Sequence, residues 1–422
     1  MTAIVGIINR QGIALAADSA ATLTISDKRK ITNHTNKIFA LSKKQPVGIA
    51  VYNNLAFHGV PWEVIIKTYR DNHLKDQEYP KLSDYVNDFW TFLTSSILPK
   101  LDDSQKSHVI ILARGLLAES KETAINNLDK QGTPVNSTPL LAEIKKFLKQ
   151  ILGKFSAISK CDGFEGYTKE MLRQYGEKEI ETVIKSILPD MAYSQDFLDL
   201  FIATLHSIII SSTNIYLSYT GLVFFGYGGA DLFPSYFEYR VGAAFDNRVK
   251  HFHIADYVVS NINNACVAPF AQSDVANTVV RGIDQKLRDT ITNELQKHFE
   301  TFRNTISETL GKASAPQSLL DGINGLKIND MVAPFVEDLD KYIRENYTDK
   351  LLGTVAMLSK EDLADMAESL VKMTCLKRHV TTDDETVGGP VDVAVITKGD
   401  GFIWIKRKHY FDPSLNHHYF EK

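Results

Sequence analysis

The sequence predicts an α+β fold in which two antiparallel sheets lie between two layers of helix. Short apolar runs, which are typical of strands, occur near both ends of the chain and in its middle. Stretches with an apolar residue every three or four positions, which are typical of helices, separate those runs. The predicted order is therefore strands, helices, an inserted helical region, strands, helices and strands.

The first sixty residues favour strands. Residues 3–8 and 13–17 are apolar runs joined by a short polar connection, and residues 37–41 and 47–52 form a second such pair. Because antiparallel strands can be joined by short turns, four strands this close in sequence predict one antiparallel sheet.

Helical patterns follow these strands. Pro61 suits the first turn of one helix, and Ser83 is a candidate cap for the next. Helical periodicity dominates residues 102–214, within which residues 108–113 are a candidate for an extra strand.

The predicted domain organisation is a core interrupted by an insertion. Residues 1–101 and 215–422 are predicted to form the core, and residues 102–214 the inserted helical region. A helical extension is expected around residues 275–350. It would begin with one long helix over 274–310, where apolar residues recur at helical spacing.

The last third of the chain returns to strands after one more helix. That helix is predicted to begin at Ser359, with Asp362 completing a capping box. The remaining strands are predicted at residues 220–226, 235–241, 391–397 and 402–405.

Composition excludes several classes of protein. Of 422 residues, 44% are hydrophobic and 23% charged, which is typical of a globular protein. A net charge of −4 argues against a nucleic-acid partner. The apolar stretch at 201–217 contains too many polar residues for a membrane span. The three cysteines have no metal-ligand or disulfide spacing, and the chain start has no signal-peptide pattern, so a reducing cytoplasmic location is expected.

The opening of the chain carries the most specific motif. Residues 2–7 read Thr-Ala-Ile-Val-Gly-Ile, and residues 14–22 read Ala-Leu-Ala-Ala-Asp-Ser-Ala-Ala-Thr. This pattern resembles the start of mature proteasome β-subunits and their bacterial relatives, in which the first residue is threonine and an aspartate follows sixteen residues later. Here Asp18 lies sixteen residues after Thr2. The resemblance implies the four-layer αββα sandwich of N-terminal-nucleophile (Ntn) hydrolases.

The chemistry explains why such a threonine stands at a terminus. A threonine hydroxyl is a weak nucleophile that needs an adjacent base. A free α-amine, with a reference pKa of about 7.7–8.0, can be that base near neutral pH. Thr2 has a free amine only after Met1 is removed.

The resemblance implies two further catalytic residues. Lys37, in Asn-Lys-Ile-Phe, matches the family's lysine at the start of the third strand, with Lys30 as the fallback. Its expected role is a cation that lowers the pKa of the nucleophile and the amine. Asp384 matches the aspartate of the family's Arg-Asp-x-x-Ser-Gly-Gly block. Val387 stands where the family has serine.

Supporting residues are implied with looser matches. Asn53 and Asn54 stand where the family has the glycine whose backbone N–H contributes to an oxyanion hole. Ser273 is the candidate for a second family serine, and Ser19 follows the aspartate directly.

Each of these positions could instead have an ordinary structural role. Thr2 could be an ordinary strand residue, Asp18 a turn residue and Lys37 a solvated strand end. Asp383 competes with Asp384. Only the joint pattern favours function.

Three other polar motifs carry weaker signals. His251 and His253 could form a metal pair, although surface histidines are commoner. His417 and His418 are expected to be a solvated tail. The basic run 406–408 is either a charged strand end or a contact for an acidic neighbouring subunit.

Two functional hypotheses follow. The first is an N-terminal threonine hydrolase that cleaves amide bonds, of peptides in the first instance, through an acyl-enzyme. The second is a catalytically inactive scaffold or binding subunit with the same fold. The resemblance implies no cofactor or metal and implies a homo-oligomer, which in the family is a ring. It leaves an ATPase unfoldase partner undetermined.

Overall fold

A computed structural model describes residues 2–25, 28–189, 191–381 and 387–416. The strands are β1 (Ala3–Asn9), β2 (Ile13–Ala17), β3 (Ala21–Ile25), β4 (Lys28–Thr32), β5 (Ile38–Ala40), β6 (Val47–Asn53), β7 (Ala56–Phe57), β8 (Val60–Pro61), β9 (Thr220–Gly226), β10 (Ser235–Phe245), β11 (Arg248–Val258), β12 (Ala265–Ala271), β13 (Asp392–Thr397) and β14 (Gly401–Lys406). The α-helices are α1 (Trp62–Thr68), α2 (Leu82–Phe92), α3 (Asp102–Lys130), α4 (Ser137–Ser156), α5 (Lys169–Ile187), α6 (Gln195–Ile210), α7 (Asp274–Arg281), α8 (Gln285–Lys312), α9 (Gln317–Asn324), α10 (Ile328–Ile343), α11 (Asp349–Val355) and α12 (Lys360–Val380).

The strands form two five-stranded sheets and two small hairpins. One sheet has the order β12-β1-β2-β13-β14, and the other has the order β11-β10-β9-β6-β5. The pairs β1–β12, β1–β2, β6–β9 and β9–β10 are all antiparallel. The α+β class and its two antiparallel sheets are therefore confirmed.

The prediction that the first four strands form one sheet is wrong. β1 and β2 lie in the first sheet, whereas β5 and β6 lie in the second. A separate hairpin, β3–β4, stands between the two pairs in sequence. Apolar alternation predicts strands but not their partners, because pairing is decided by contacts that are distant in sequence.

The chain divides into two compact units. The first unit contains the described residues of Met1–Thr35, Val259–Val395 and Trp404–Lys422. The second unit contains those of Asn36–Val258 and Ile396–Ile403.

In the first unit, α12 packs on β1 and β2. Its apolar face, with Leu363, Leu370 and Val371, meets Val5 and Ala16 in one buried cluster. Ser359 and Asp362 form the predicted capping box, which confirms the helix start. α12 thus covers one face of the strands that carry the terminal motif.

The predicted helix over 274–310 is interrupted. Gly282 ends α7 with φ +70°, a left-handed conformation that glycine adopts without steric cost, and α8 begins three residues later. No residue of α8 is buried. Periodicity predicted the helical state of both segments but did not detect the stop at Gly282.

In the second unit, residues 102–214, the predicted insertion, contain a cluster of four helices, α3 to α6. Their buried residues form one apolar core that also includes Ala243 and Phe245 of β10. The candidate strand at 108–113 is wrong, since these residues lie inside α3. α2 begins at Leu82, so Ser83 is inside the helix and is not its cap.

His58 connects α3 to the second sheet. Its Nε2 accepts the N–H of Ala244 at 2.7 Å, and its Nδ1 lies 3.1 Å from Oγ of Ser104. Burial lowers the pKa of His58 to about 3, and the neighbouring His108 acts in the same direction.

The depressed pKa of His58 predicts acid sensitivity. The unfolded chain protonates this ring near pH 6.5 and the folded chain only near pH 3, so stability is complete above pH 6.5 and falls as pH drops towards 3. The slope should reach about 1.4 kcal/mol per pH unit for this group. Urea unfolding at pH 7, 5.5 and 4 should show a shallower decline for His58→Gln than for the wild type. His298→Gln, at an exposed site on α8, is the control and should keep the wild-type slope.

Candidate active site

Asp18 follows β2 and is buried, with 1% of its surface exposed. Its Oδ1 accepts the backbone N–H of Ala3 at 2.9 Å, and its Oδ2 accepts those of Ala20 and Gly388, each at 3.1 Å. Hydrogen bonds to an ionised acceptor are about twice as strong as those between neutral groups. The carboxylate therefore ties the start of β1 and the segment before β13 to the turn after β2.

Thr2 directly precedes β1, and backbone hydrogen bonds hold it there. It is 3% exposed, and its carbonyl oxygen accepts the N–H of Gln272 at 3.1 Å. On its C-terminal side, Ala3 pairs with Ala271 of β12 and donates its N–H to Asp18. Buried Thr2 is thus fixed through its own carbonyl and through the next peptide group. Asp18 does follow a strand as a turn residue would, and it is also buried and bonded to two distant segments.

Ser19 binds the glycine-containing segment before β13. Its N–H donates to the carbonyl of Gly388 at 3.1 Å, and its Oγ donates to that of Pro390 at 2.5 Å. Gly389 has φ +75°, and a Cβ there would lie 2.9 Å from Cβ of Asn33. Glycine is required at this point because the chain passes too close to Asn33 for a side chain.

Asp384 and Val387 are the other residues that the sequence singled out before β13. Asp384 and its competitor Asp383 lie outside the described residues. Val387 is buried in the apolar cluster under α12, so the position that carries serine in the resembling family contributes packing here and no hydroxyl.

Lys37 precedes β5 and is 1% exposed, in the second unit. Its carbonyl accepts the N–H of Val51 at 2.8 Å, which places it at the edge of the second sheet. Because Lys37 is buried, the alternative of a solvated strand end is wrong. Burying an ammonium group costs free energy unless other groups compensate its charge. Lys30, the fallback, is exposed on β4. The role of Lys37 as the cation beside Thr2 stays a prediction.

Asn53 is the last residue of β6 and Asn54 follows it, also in the second unit. Asn53 has φ +67°, the left-handed conformation that glycine would adopt, and asparagine is among the few other residues that tolerate it. Its Nδ2 donates to the carbonyl of Tyr219 at 2.8 Å. The N–H of Asn54 donates to the same carbonyl at 3.3 Å, so this donor is already engaged.

Ser273 directly follows the residue that binds the carbonyl of Thr2. It is half-buried and precedes α7, and its side chain makes no capping hydrogen bond. Ala271, two residues earlier, has φ +63°. This reversal ends β12 where the N–H of Gln272 donates to Thr2.

Sequence reasoning missed a charged network beside this segment. Arg378 donates to Oε1 of Gln272 and, at 2.9 Å, to Oδ1 of Asp274, while Lys377 donates to Oδ2 of Asp274 at 2.8 Å. Burial acts to raise the pKa of Asp274, but Lys377 and Arg378 outweigh it and lower that pKa. The only sequence signal was a basic pair in the last turn of α12, which also suits a helix C-terminus.

The remaining polar motifs lie away from this cluster. His251 is buried and stacks on Trp90 at 4.3 Å, so it is a core residue and not a surface one, while His253 pairs with Asp256 at 3.2 Å. His417 and His418 lie outside the described residues. Among the residues that are described, no group of three His, Cys, Asp or Glu side chains could hold a metal.

The basic run over 406–408 pairs within the chain. Lys406 forms an ion pair with Glu368, and Lys408 with Asp392. Arg407 lies over the ring of Trp404 at 4.4 Å. These contacts favour the reading as a strand end over a contact for a neighbouring subunit.

No protein-family model and no curated protein sequence matches this chain. No helix within the described ranges is both long and apolar enough to cross a bilayer.

Replacing Asp18 by Asn should destabilise the protein by about 3 kcal/mol, because the amide NH2 cannot accept the N–H groups that the lost carboxylate oxygen bound. Denaturant unfolding measures the difference. Asp103→Asn, at an exposed position in the first turn of α3, is the control and should lie within about 0.5 kcal/mol of the wild type. Equal stability of the two variants would contradict the central role of Asp18.

Replacing Ala271 by Gly should stabilise the protein by about 0.5–1 kcal/mol, because alanine is strained at φ +63° and glycine is not. Ala268→Gly, in the regular part of β12 opposite Gly6, is the matched control and should be destabilising. Thermal or denaturant unfolding gives both values. If the two substitutions shift stability in the same direction, the strain at Ala271 is not real.

Proposed function

We propose that this chain is an N-terminal threonine hydrolase of the αββα type, which cleaves amide bonds of peptides after Met1 has been removed. The observation that carries the proposal is the buried Asp18 carboxylate, which accepts the N–H of the residue that follows Thr2. The spacing of Thr2 and Asp18 and this contact together match what such a site needs, because a nucleophile must be held in one orientation.

Thr2 would supply both the nucleophile and its base. Its Oγ attacks the substrate carbonyl, and its α-amine accepts the hydroxyl proton and passes it to the leaving amine. An ester between Thr2 and the acyl group results, and water then cleaves that ester. Every step uses groups of this chain and water, with no cofactor.

The other predicted residues would tune this chemistry. A buried lysine ammonium such as Lys37 would keep the α-amine of Thr2 neutral by lowering its pKa. Asn53 has the glycine-like backbone that an oxyanion-binding turn at this point would need. Ser273 and Ser19 lie on segments tied to Thr2 and Asp18, respectively.

An inactive scaffold with the same fold is the second candidate. Two observations favour it: Val387 offers no hydroxyl beside the glycine segment, and the N–H of Asn54 is engaged by Tyr219. Under either candidate we propose a cytoplasmic homo-oligomer, with the ring as its expected form and the identity of an unfoldase partner open.

The variants Thr2→Ala and Thr2→Ser separate the two candidates. Intact mass first establishes whether Met1 has been removed. With a fluorogenic peptide library, Thr2→Ala should lower hydrolysis on the order of 10⁴-fold, whereas Thr2→Ser keeps a hydroxyl and should retain measurable turnover. An electrophile that reacts with N-terminal threonine should label the wild type at Thr2 alone.

Full activity of Thr2→Ala would rule out the hydrolase proposal. A retained Met1 together with no labelling would favour the scaffold.

A further inference from the structure

A cavity of about 480 Å³ lies in the first unit. None of its lining residues belongs to the candidate active site. It is bounded by the junction of α7 and α8, by the end of α10 and by the π-helical turn Arg344–Thr348 that follows α10. Its polar lining consists of Arg281, Gln285, Arg288, Asp340, Arg344 and Thr348.

The break between α7 and α8 shapes this cavity. A Cβ on Gly282 would lie 2.3 Å from the ring of Tyr347, so only glycine allows the junction to approach the π-helical turn this closely. Turns of this type are rare and are frequent at functional sites. The glycine that interrupts the predicted long helix thus brings the α7–α8 junction, which carries the lining residues Arg281 and Gln285, next to this turn.

The lining carries excess positive charge. Arg288 binds Asp340 through two nitrogens, with Nε 2.8 Å from Oδ1, and its side chain is only 15% exposed. Arg281 donates to Oε1 of Gln285, which is neutral. Arg344 forms no ion pair with any residue in the described ranges. Arg288 also binds Oδ1 of Asp289, at 3.1 Å. The three guanidinium groups of the lining thus meet two carboxylates, Asp340 in the lining and Asp289 beside it, which leaves a net charge of about +1 at neutral pH.

We propose that this cavity binds a small oxyanion with two negative charges, either a phosphate group or a dicarboxylate. Guanidinium groups match the geometry of both because they donate two parallel hydrogen bonds. The volume falls within the range of small-molecule sites, roughly 300–1,000 Å³. Asp340 holds Arg288 in place, and Arg281 and Arg344 supply the donors for the ligand. This site is independent of the proposed hydrolase activity.

Isothermal titration of the full chain with inorganic phosphate, pyrophosphate and succinate tests the proposal. One ligand should bind per chain, and the preferred probe identifies the chemistry. Arg344→Gln should weaken binding about tenfold, since it removes one charge-assisted contact. Lys286→Gln removes the same charge from an exposed neighbour on α8 that does not line the cavity, and it should leave binding unchanged.

Asp340→Asn should change the affinity in the opposite direction. It removes the carboxylate from the lining and leaves Arg288 paired with Asp289 alone, so binding should tighten about tenfold. Arg344 is exposed, so its variant tests the site even if Asp340→Asn fails to fold. Absence of saturable binding by all three probes would overturn the proposal. Equal weakening by Arg344→Gln and Lys286→Gln would also overturn it, by showing non-specific attraction.

Discussion

The buried carboxylate of Asp18 is the interaction on which the candidate site depends. A charge at 1% exposure is stable only where hydrogen-bond donors replace water, and three backbone N–H groups do so here. Two of these donors, Ala3 and Gly388, come from opposite ends of the sequence. The position of Thr2 is therefore fixed by a contact that forms only when both ends of the chain have folded.

Within the first unit, residues with positive φ flank this centre. Ala271 and Gly389 both have positive φ, and each lies where a neighbouring segment binds the terminal motif. Asn53 has the same feature in the second unit. Strained or left-handed residues persist only where the surrounding contacts hold them, which is common at functional sites. The stability change expected at Ala271 follows from this strain.

The helical regions show how far local patterns reach. Periodicity correctly predicted helices over most of residues 102–214, and the capping box at Ser359 correctly predicted where α12 begins. It failed at residues 108–113, where an apolar run inside a long amphipathic helix resembled a strand. It also failed at Gly282, because a glycine can either lie inside a helix or end it, and only the left-handed φ of +70° shows that this one ends α7.

The sequence by itself determined the α+β class, the position of most strands and the spacing of Thr2 and Asp18, because these depend on local periodicity and on identities along a short segment. Only the tertiary structure decided which sheet each strand joins, which N–H groups bind Asp18, and that Lys37 is buried while Lys30 is exposed. The arginine-lined cavity also required it. Each of these depends on residues brought together from distant parts of the chain, and no local pattern records such contacts.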